Sequence, residues 1–283
     1  MKFIWKGYGE IITAAVLWGT TGILVRMIND MTALSIIFYR VALAFMIFMV
    51  FFYISGNLNT LRLKDKKPYL VLFSVLQVVT MLTFFESIMN ASVPVAVLLL
   101  YTAPVYVTVF SPVLLKERST GKGWMALFLS IAGVILIVEP GNIEFSLKLT
   151  GIIAGLLSGI SYAFQIMTSK YISKSYSGYS QAFWSFMIAM LLLIPAAAVP
   201  ADVVLGNITY LIMLAIFPTI LAISLYFNGL FKVRAASASI LGLIEPVSAV
   251  ILSIIILHDS ISIPVMMGGA LILAGGAIVT REP

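Results

Sequence analysis

The sequence predicts an all-α integral membrane protein whose ten transmembrane helices form two inverted five-helix repeats around a central cavity. Three observations predict this fold: a very apolar composition, ten apolar stretches separated by charged connections, and an internal repeat. Of the 283 residues, 61% are hydrophobic and only 10% are charged, with a mean hydropathy of +1.12. Soluble domains have about 45–50% apolar and about 25% charged residues, so the solvent of this chain is lipid.

The same composition excludes several classes of site. The chain has no cysteine and one histidine, His258, which excludes disulfides and thiolate chemistry and argues against a histidine-ligated metal. The net charge of +6 would suggest nucleic acid in a soluble protein, but in a membrane protein basic residues mostly mark cytoplasmic loops. We therefore expect no metal, no cofactor and no nucleic-acid partner.

Ten apolar stretches are each long enough to cross a bilayer, which takes about 20 residues. They are numbered here as spans 1 to 10 and cover residues 10–28, 32–55, 69–89, 93–115, 122–138, 149–171, 178–199, 207–230, 236–257 and 264–281. Every connection is short, so consecutive spans are expected to be antiparallel neighbours with no soluble domain between them.

Basic residues in the connections predict the orientation, because Lys and Arg in short loops stay in the cytoplasm. In a ten-span chain, 14 of the 17 basic residues fall on one side. They are Lys2, Lys6, Arg62, Lys64, Lys66, Lys67, Lys116, Arg118, Lys122, Lys170, Lys174, Lys232, Arg234 and Arg281. The sequence predicts a multi-pass plasma-membrane protein with both termini in the cytoplasm.

The two halves of the chain repeat one another. A shift of 142 residues superposes spans 4 and 5 on spans 9 and 10, with Pro104 on Pro246 and Gly133 on Gly275. Near-equal shifts place Trp18 on Tyr162, and Tyr39 on Trp184. Each half, residues 1–140 and 141–283, holds five spans, so the second half enters the membrane from the opposite side, as in many secondary transporters. The turn-forming residues 139–142 are interpreted as the linker.

Several short motifs occur in an order that resembles a known family. They are Trp18-Gly19, Tyr39-Arg40, Pro104 followed by Lys116-Glu117-Arg118, and Glu245-Pro246. Together they resemble the EamA-type, ten-span branch of the drug/metabolite transporter superfamily, although His258-Asp259-Ser260 departs from its pattern. The resemblance implies a cavity lined by spans 1–4 and 6–9, peripheral spans 5 and 10, and alternating access by rocking of the halves. It also implies export of amino acids or other small metabolites, or in some members transport of nucleotide-linked compounds.

Ionisable side chains within spans normally face a cavity or a partner, and three stand out: Arg40, Glu86 and Glu245. Arg40 suits a substrate carboxylate or phosphate, or it forms a structural ion pair with Glu86. Glu245 lies about 14 Å from the cytoplasmic surface at ~1.5 Å per residue, near the midplane. It is expected to face the cavity, where a carboxyl group can carry a proton for coupling. The alternative is a neutral Glu245 bonded to a neighbouring helix.

Aromatic and amide side chains at similar depth complete the predicted site, although packing also explains any single one of them. The predicted substrate-binding residues are Trp18, Tyr39, Arg40, Gln77, Tyr101, Tyr162 and Glu245, with Gln165, Trp184 and Tyr226 at comparable depth. Pro104, Pro218 and Pro246 are predicted to kink spans 4, 8 and 9 as gates. Gly151, Gly155 and Gly159 form a stripe that allows close helix packing in span 6.

The chain has no hydrolase, zinc-protease or nucleotide-binding loop motif, so neither an enzyme nor a nucleotide-driven pump is predicted. The function predicted is secondary transport of small metabolites, amino acids or related compounds first, outward across the plasma membrane. The alternatives are transport of nucleotide-like or other metabolites, and a passive channel or scramblase. One chain with its own inverted repeat can form the pathway as a monomer, which leaves an oligomer open.

Overall fold

A computed structural model describes residues 2–138, 149–258 and 262–281, and this part of the chain contains helices and connections but no strand. The spans are Lys2–Arg26, Ala33–Ile54, Lys67–Asn90, Val93–Leu114, Gly121–Val138, Leu149–Ile172, Gly178–Leu192, Ile208–Lys232, Ala235–Ile256 and Ile263–Thr280. Nine of them, among the described residues, are both long and apolar enough to cross a membrane. The predicted linker at 139–142 and the acidic residue Asp259 lie outside the described residues.

Two span boundaries differ by more than two residues from those predicted. Span 1 begins at Lys2 instead of residue 10, because the helix continues through a segment that buries Tyr8 and Ile11 on one side. Span 7 ends at Leu192 and continues as a 3₁₀ turn, Ile194–Ala197. Pro195 explains the early end, since the residue before a proline is disfavoured in the α conformation.

Side-chain caps begin several spans at equivalent positions of the two halves. Thr32 and Ser177 accept hydrogen bonds from the backbone N–H of the third residue of spans 2 and 7. Thr120 and Ser262 do the same for spans 5 and 10. Such caps satisfy backbone donors that a helix leaves free at its first turn.

The packing of the spans has the symmetry of an inverted repeat. Span 1 packs against spans 8 and 9, and its counterpart, span 6, packs against spans 3 and 4. The counterpart pairs 2 with 7, 4 with 9 and 5 with 10 also contact each other. Both described termini and the connections between spans 2 and 3, 4 and 5, 6 and 7, and 8 and 9 lie at one end. We call it the basic end, and the opposite one the acidic end.

Spans 5 and 10 show the 142-residue shift at atomic detail. A Cβ on Gly133 would lie 2.5 Å from the carbonyl oxygen of Gly268, and one on Gly275 would lie 2.8 Å from that of Ala126. Gly268 and Ala126 are themselves 142 residues apart, so the same contact is made twice. The predicted inverted repeat is confirmed.

Each of the three prolines predicted to kink a span lies at a departure from regular α-helix. Span 4 is interrupted between Leu100 and Ala103, just before Pro104. Span 9 is interrupted at Leu243, three residues before Pro246. Pro218 lies within a π-helical stretch, Ala215–Leu221. Their role in gating stays a prediction.

Candidate functional site

A cavity of about 200 Å³ lies at mid-depth between the two halves. It is lined by side chains of spans 1, 2, 3 and 4 from the first half and of spans 6, 8 and 9 from the second. Of the predicted substrate-binding residues, the structure brings six to this cavity: Trp18, Arg40, Gln77, Tyr101, Tyr162 and Glu245. Tyr39 is the one that it places elsewhere.

The interruption of span 9 positions Glu245. The helix restarts at Ile244, so Glu245 is the second residue of a new helical segment. Backbone N–H groups are free at such a terminus, and its dipole favours a carboxylate. The side chain interacts with the Tyr101 hydroxyl and with the charge of Arg40.

Arg40 enters the cavity from span 2 in the opposite half. Its Nε is buried and has no hydrogen-bond partner in the described part of the chain. The carboxyl group that acts electrostatically on it is that of Glu245. A buried guanidinium donor without a partner is costly, so this side chain is available for an acceptor that enters the cavity.

The structure does not bring Arg40 and Glu86 together as a predicted structural ion pair. Within residues 2–138, which hold both side chains, no ion pair joins them. Glu86 is exposed and accepts a hydrogen bond from Asn90 Nδ2 at 2.6 Å. Arg40 points inward and Glu86 outward, and depth along a helix carries no information about this direction.

Aromatic rings form one wall of the cavity. Trp18 packs on Tyr226, with ring centroids 5.0 Å apart, and Tyr226 is fully buried behind it. The Tyr226 hydroxyl interacts with that of Tyr162. Tyr162 and Tyr101 line the cavity directly.

Tyr39 and Trp184 hold the frame together at equivalent places. The Tyr39 hydroxyl donates to the carbonyl oxygen of Ala197, after span 7, at 2.9 Å. Trp184 Nε1 donates to that of Leu61, after span 2, at 3.0 Å. Each aromatic residue therefore ties its span to the turn that follows the counterpart span, which explains the match between them in the sequence.

Polar groups of spans 3 and 6 join the halves beside the cavity. Gln165 Nε2 donates to Gln77 Oε1 at 3.2 Å, and Thr80 and Ser161 hydroxyls are 2.8 Å apart. Span 6 comes this close because its glycine stripe packs on the other half. A Cβ on Gly159 would lie 2.5 Å from the Leu99 carbonyl oxygen.

Sequence reasoning missed part of the lining: Thr21, Thr80, Met81, Leu100, Ile223 and Phe227. Apolar residues within a span carry no signal that separates a cavity face from a lipid face. The two threonines could have been found from their height in the membrane, since they lie within one turn of Trp18 and Gln77.

Below the cavity, at the basic end, a carboxylate joins the halves. Glu117, which follows span 4, accepts a hydrogen bond from the backbone N–H of Ala235 at 2.7 Å. It also forms an ion pair with Lys170 at 3.6 Å, and Lys170 donates to carbonyl oxygens of Leu230 and Val233. At the acidic end, Asn207 exchanges hydrogen bonds with the backbone of Asn29, at 3.1 and 2.9 Å.

Comparison with known proteins gives one consistent family. A model described as the EamA-like transporter family matches residues 5–139 and again 149–281. An uncharacterized transporter of Archaeoglobus fulgidus is 33% identical over 278 residues, covering 97% of each chain. The uncharacterized inner membrane transporter YicL of Salmonella typhimurium is 27% identical over 287 residues, covering 98% of this chain and 96% of its own.

A solved crystal structure of another protein shares the fold. Its TM-score is 0.82 over 96% of both chains, at 17% sequence identity. The resemblance found in the motifs is confirmed by the family model and by the relatives named as transporters. The chain belongs to the EamA-like transporter family, with one copy of the family's repeat in each half.

Proposed function

We propose that this protein carries amino acids or closely related zwitterionic metabolites out of the cell by alternating access. The observation that carries the proposal is that Arg40 of the first half and Glu245 of the second half line the same small cavity. A solute with a carboxylate and an ammonium group can contact both and so bridge the two halves while it is bound.

The chemistry of the two groups suits such a solute. The planar guanidinium of Arg40 pairs well with a carboxylate, and its buried Nε lacks an acceptor within the described chain. The Glu245 carboxylate offers an acceptor to an ammonium group. The ring faces of Trp18 and Tyr101 give an amphipathic or aromatic side chain an apolar contact.

The size of the cavity favours an amino acid over a nucleotide-like solute. Pockets for drug-sized ligands are about 300–1,000 Å³, whereas this cavity is about 200 Å³. Since a nucleotide is drug-sized, it would need a substantially wider state of the protein. An amino acid needs little rearrangement of the lining.

Glu245 is also the proposed proton carrier. A carboxyl group in a low dielectric can be neutralised by a proton, and a protonated Glu245 no longer attracts the ammonium group of the solute. Proton and solute would then exclude each other at this position, so that an inward proton gradient drives the solute outward. The helix terminus and Tyr101 support the charged form when the proton leaves.

The charge distribution supports a proposed orientation in the membrane, and the repeat supports a monomer as the transporting unit. Basic residues are concentrated at the end that holds both described termini, which favours a cytoplasmic basic end in a plasma membrane. Both halves of the chain line the cavity, which supports a monomer as sufficient for transport.

The test is uptake and counterflow of labelled amino acids in proteoliposomes, with and without an imposed pH gradient. Wild type is expected to show saturable exchange that the gradient accelerates. Glu245→Gln is expected to keep exchange and lose the acceleration. Glu86→Gln is the matched control, because Glu86 also lies in a span but is exposed and does not line the cavity.

Other outcomes point to the alternatives. If neither the pH gradient nor Glu245→Gln changes the rate of saturable exchange, Glu245 is not a proton carrier and the protein is a facilitator. Absence of amino-acid flux together with saturable nucleotide flux would replace the substrate class. Flux without saturation or trans-stimulation would indicate a channel or scramblase.

A further inference from the structure

A second, larger cavity lies on the outside of the bundle. This groove of about 330 Å³ runs between spans 3, 4 and 6 near the basic end. Its walls include Tyr69 and Leu72 of span 3, Leu114 of span 4, and Phe164, Met167 and Tyr171 of span 6. It shares no lining residue with the central cavity, so it is a separate feature of the molecule.

The groove is apolar and open. Tyr69 and Leu72 are 44% and 45% exposed, although both lie in a membrane span. Leu70 and Phe73, their neighbours on the same helix, are buried at 2% and 0% exposure. Tyr69 and Leu72 therefore lie on the face of span 3 that points away from the core of the bundle.

The groove has no protein cover among the described residues. Surface of this kind within a span is in contact with lipid. Its concave shape favours a bound lipid, because a groove can surround one acyl chain on several sides and bury more of its methylene groups.

Lysines lie at the basic end of the groove. Lys66 Nζ is 3.9 Å from the centroid of the Tyr171 ring and donates to the Tyr171 carbonyl oxygen at 3.0 Å. Since an ammonium group has three donors, two stay available. Lys67 begins span 3 and the exposed Lys116 follows span 4, on the other wall.

Little negative charge opposes these lysines. The connections that follow spans 2, 4 and 6 contain six basic residues and two acidic ones, Asp65 and Glu117, and Lys67 and Lys122 lie in the first turns of spans 3 and 5. Glu117 is already engaged by Lys170 and the Ala235 backbone. The rim of the groove is therefore a basic site beside an apolar one, at the depth where aromatic side chains meet lipid headgroups.

We propose that this groove binds one anionic phospholipid, with an acyl chain between spans 3, 4 and 6 and the phosphate at Lys66 and Lys116. Basic pockets between transmembrane helices recognise anionic headgroups in this way, and each lysine near the surface strengthens the attraction severalfold. The bound lipid fills the space between spans 3, 4 and 6 and fixes their spacing.

Native mass spectrometry of the full chain in detergent tests the proposal, with phosphatidylglycerol and phosphatidylcholine of identical acyl chains as probes. Wild type is expected to hold one phosphatidylglycerol more tightly than the lipids that follow it. Lys66→Gln and Lys116→Gln are each expected to weaken it roughly fivefold and to leave phosphatidylcholine binding unchanged.

A second, matched pair of variants tests whether the acyl chain binds in the groove. Leu72→Trp fills the groove and is expected to weaken the binding of both phosphatidylglycerol and phosphatidylcholine. Leu82→Trp, on the same span, is 40% exposed and outside the groove, and is expected to bind lipid as wild type does. Equal binding by Leu72→Trp and Leu82→Trp, or a phosphatidylglycerol preference that survives both lysine substitutions, would overturn the proposal.

Discussion

The two halves of the molecule place different side chains at equivalent mid-membrane positions. Where span 2 carries Arg40, its counterpart span 7 carries Ser185, a buried residue whose hydroxyl donates to its own helix at Ala182, 2.9 Å away. Where span 9 carries Glu245, span 4 carries Ala103, which is fully buried. The frame is duplicated, whereas each charged group belongs to one copy only.

This difference shows how a symmetric frame can hold an asymmetric solute. The caps, the glycine contacts and the breaks before Pro104 and Pro246 recur in both halves, so they support the bundle. Arg40 and Glu245 do not recur, and they bring opposite charges to the cavity from opposite halves. A bound zwitterion would have one orientation, and its binding would depend on how close the halves are.

The largest expected effect is on amino-acid affinity, and it distinguishes Arg40 from Ser185, its equivalent in the second half. Arg40→Gln should lower the apparent affinity for a labelled amino acid by about 30-fold or more, since truncating one partner of a buried charged contact costs about 2–5 kcal/mol. Ser185→Ala should change it less than about twofold, because a hydroxyl bonded only to its own helix adds little. Concentration dependence of counterflow measures both, and equal losses would remove the distinction between the halves.

The next effect tests the symmetry of the frame. Gly133→Ala should destabilise the protein by about 1–3 kcal/mol, since the new Cβ would lie 2.5 Å from a backbone oxygen of Gly268. Gly275→Ala should also destabilise it, but by somewhat less, because the backbone oxygen there, that of Ala126, would be 2.8 Å away and the atom at 2.2 Å is the Ser130 hydroxyl, on a side chain that can rotate. Thermal unfolding in detergent measures both variants.

Gly9→Ala is the control for the glycine pair. Nothing lies within 4 Å of a Cβ at Gly9, and alanine is the better helix former, so this variant should be as stable as wild type or slightly more so. A loss of stability at Gly9 equal to that at Gly133 would show that the close approach of spans 5 and 10 has no special cost.

The sequence predicts the frame well because its signals are local. Apolar length defines the spans, basic connections define their alternation, and the proline and glycine pairs reveal the repeat. The direction of a side chain around its helix is not local, since it depends on which spans are neighbours. Depth alone therefore predicts Arg40 and Glu245 at the cavity but also places Tyr39 there and pairs Arg40 with Glu86.

A smaller effect compares the two ends of the molecule. Glu117→Gln removes an ion pair between the halves at the basic end, and Asn207→Ala removes the hydrogen bonds to Asn29 at the acidic end. Each should open its own end. Loss of a hydrogen bond to a charged group costs about 1.5–3 kcal/mol. Glu117→Gln should therefore shift the equilibrium between the closed and open states of the basic end by roughly tenfold or more. Asn207→Ala removes only hydrogen bonds between neutral groups, so it should shift the equilibrium at the acidic end by less.

The opening of each end can be measured with a single introduced cysteine, because the chain has none of its own. The cavity residue Met81 is the position for it. In proteoliposomes of known orientation, Met81→Cys should react faster with an impermeant thiol reagent from the basic end when combined with Glu117→Gln. With Asn207→Ala it should react faster from the acidic end. Acceleration from both ends in either variant would mean general loosening instead of a directional change.

The smallest effect distinguishes a tyrosine of the frame from one of the cavity. Tyr39→Phe removes only the hydrogen bond to Ala197, so it should destabilise the protein by about 1 kcal/mol and leave amino-acid affinity unchanged. Tyr101→Phe should do the reverse: its hydroxyl interacts with Glu245 at the cavity, so affinity and the response to a pH gradient should change. If Tyr39→Phe instead lowered affinity at unchanged stability, Tyr39 would belong to the substrate site after all, and the cavity would extend further towards span 7 than the structure places it.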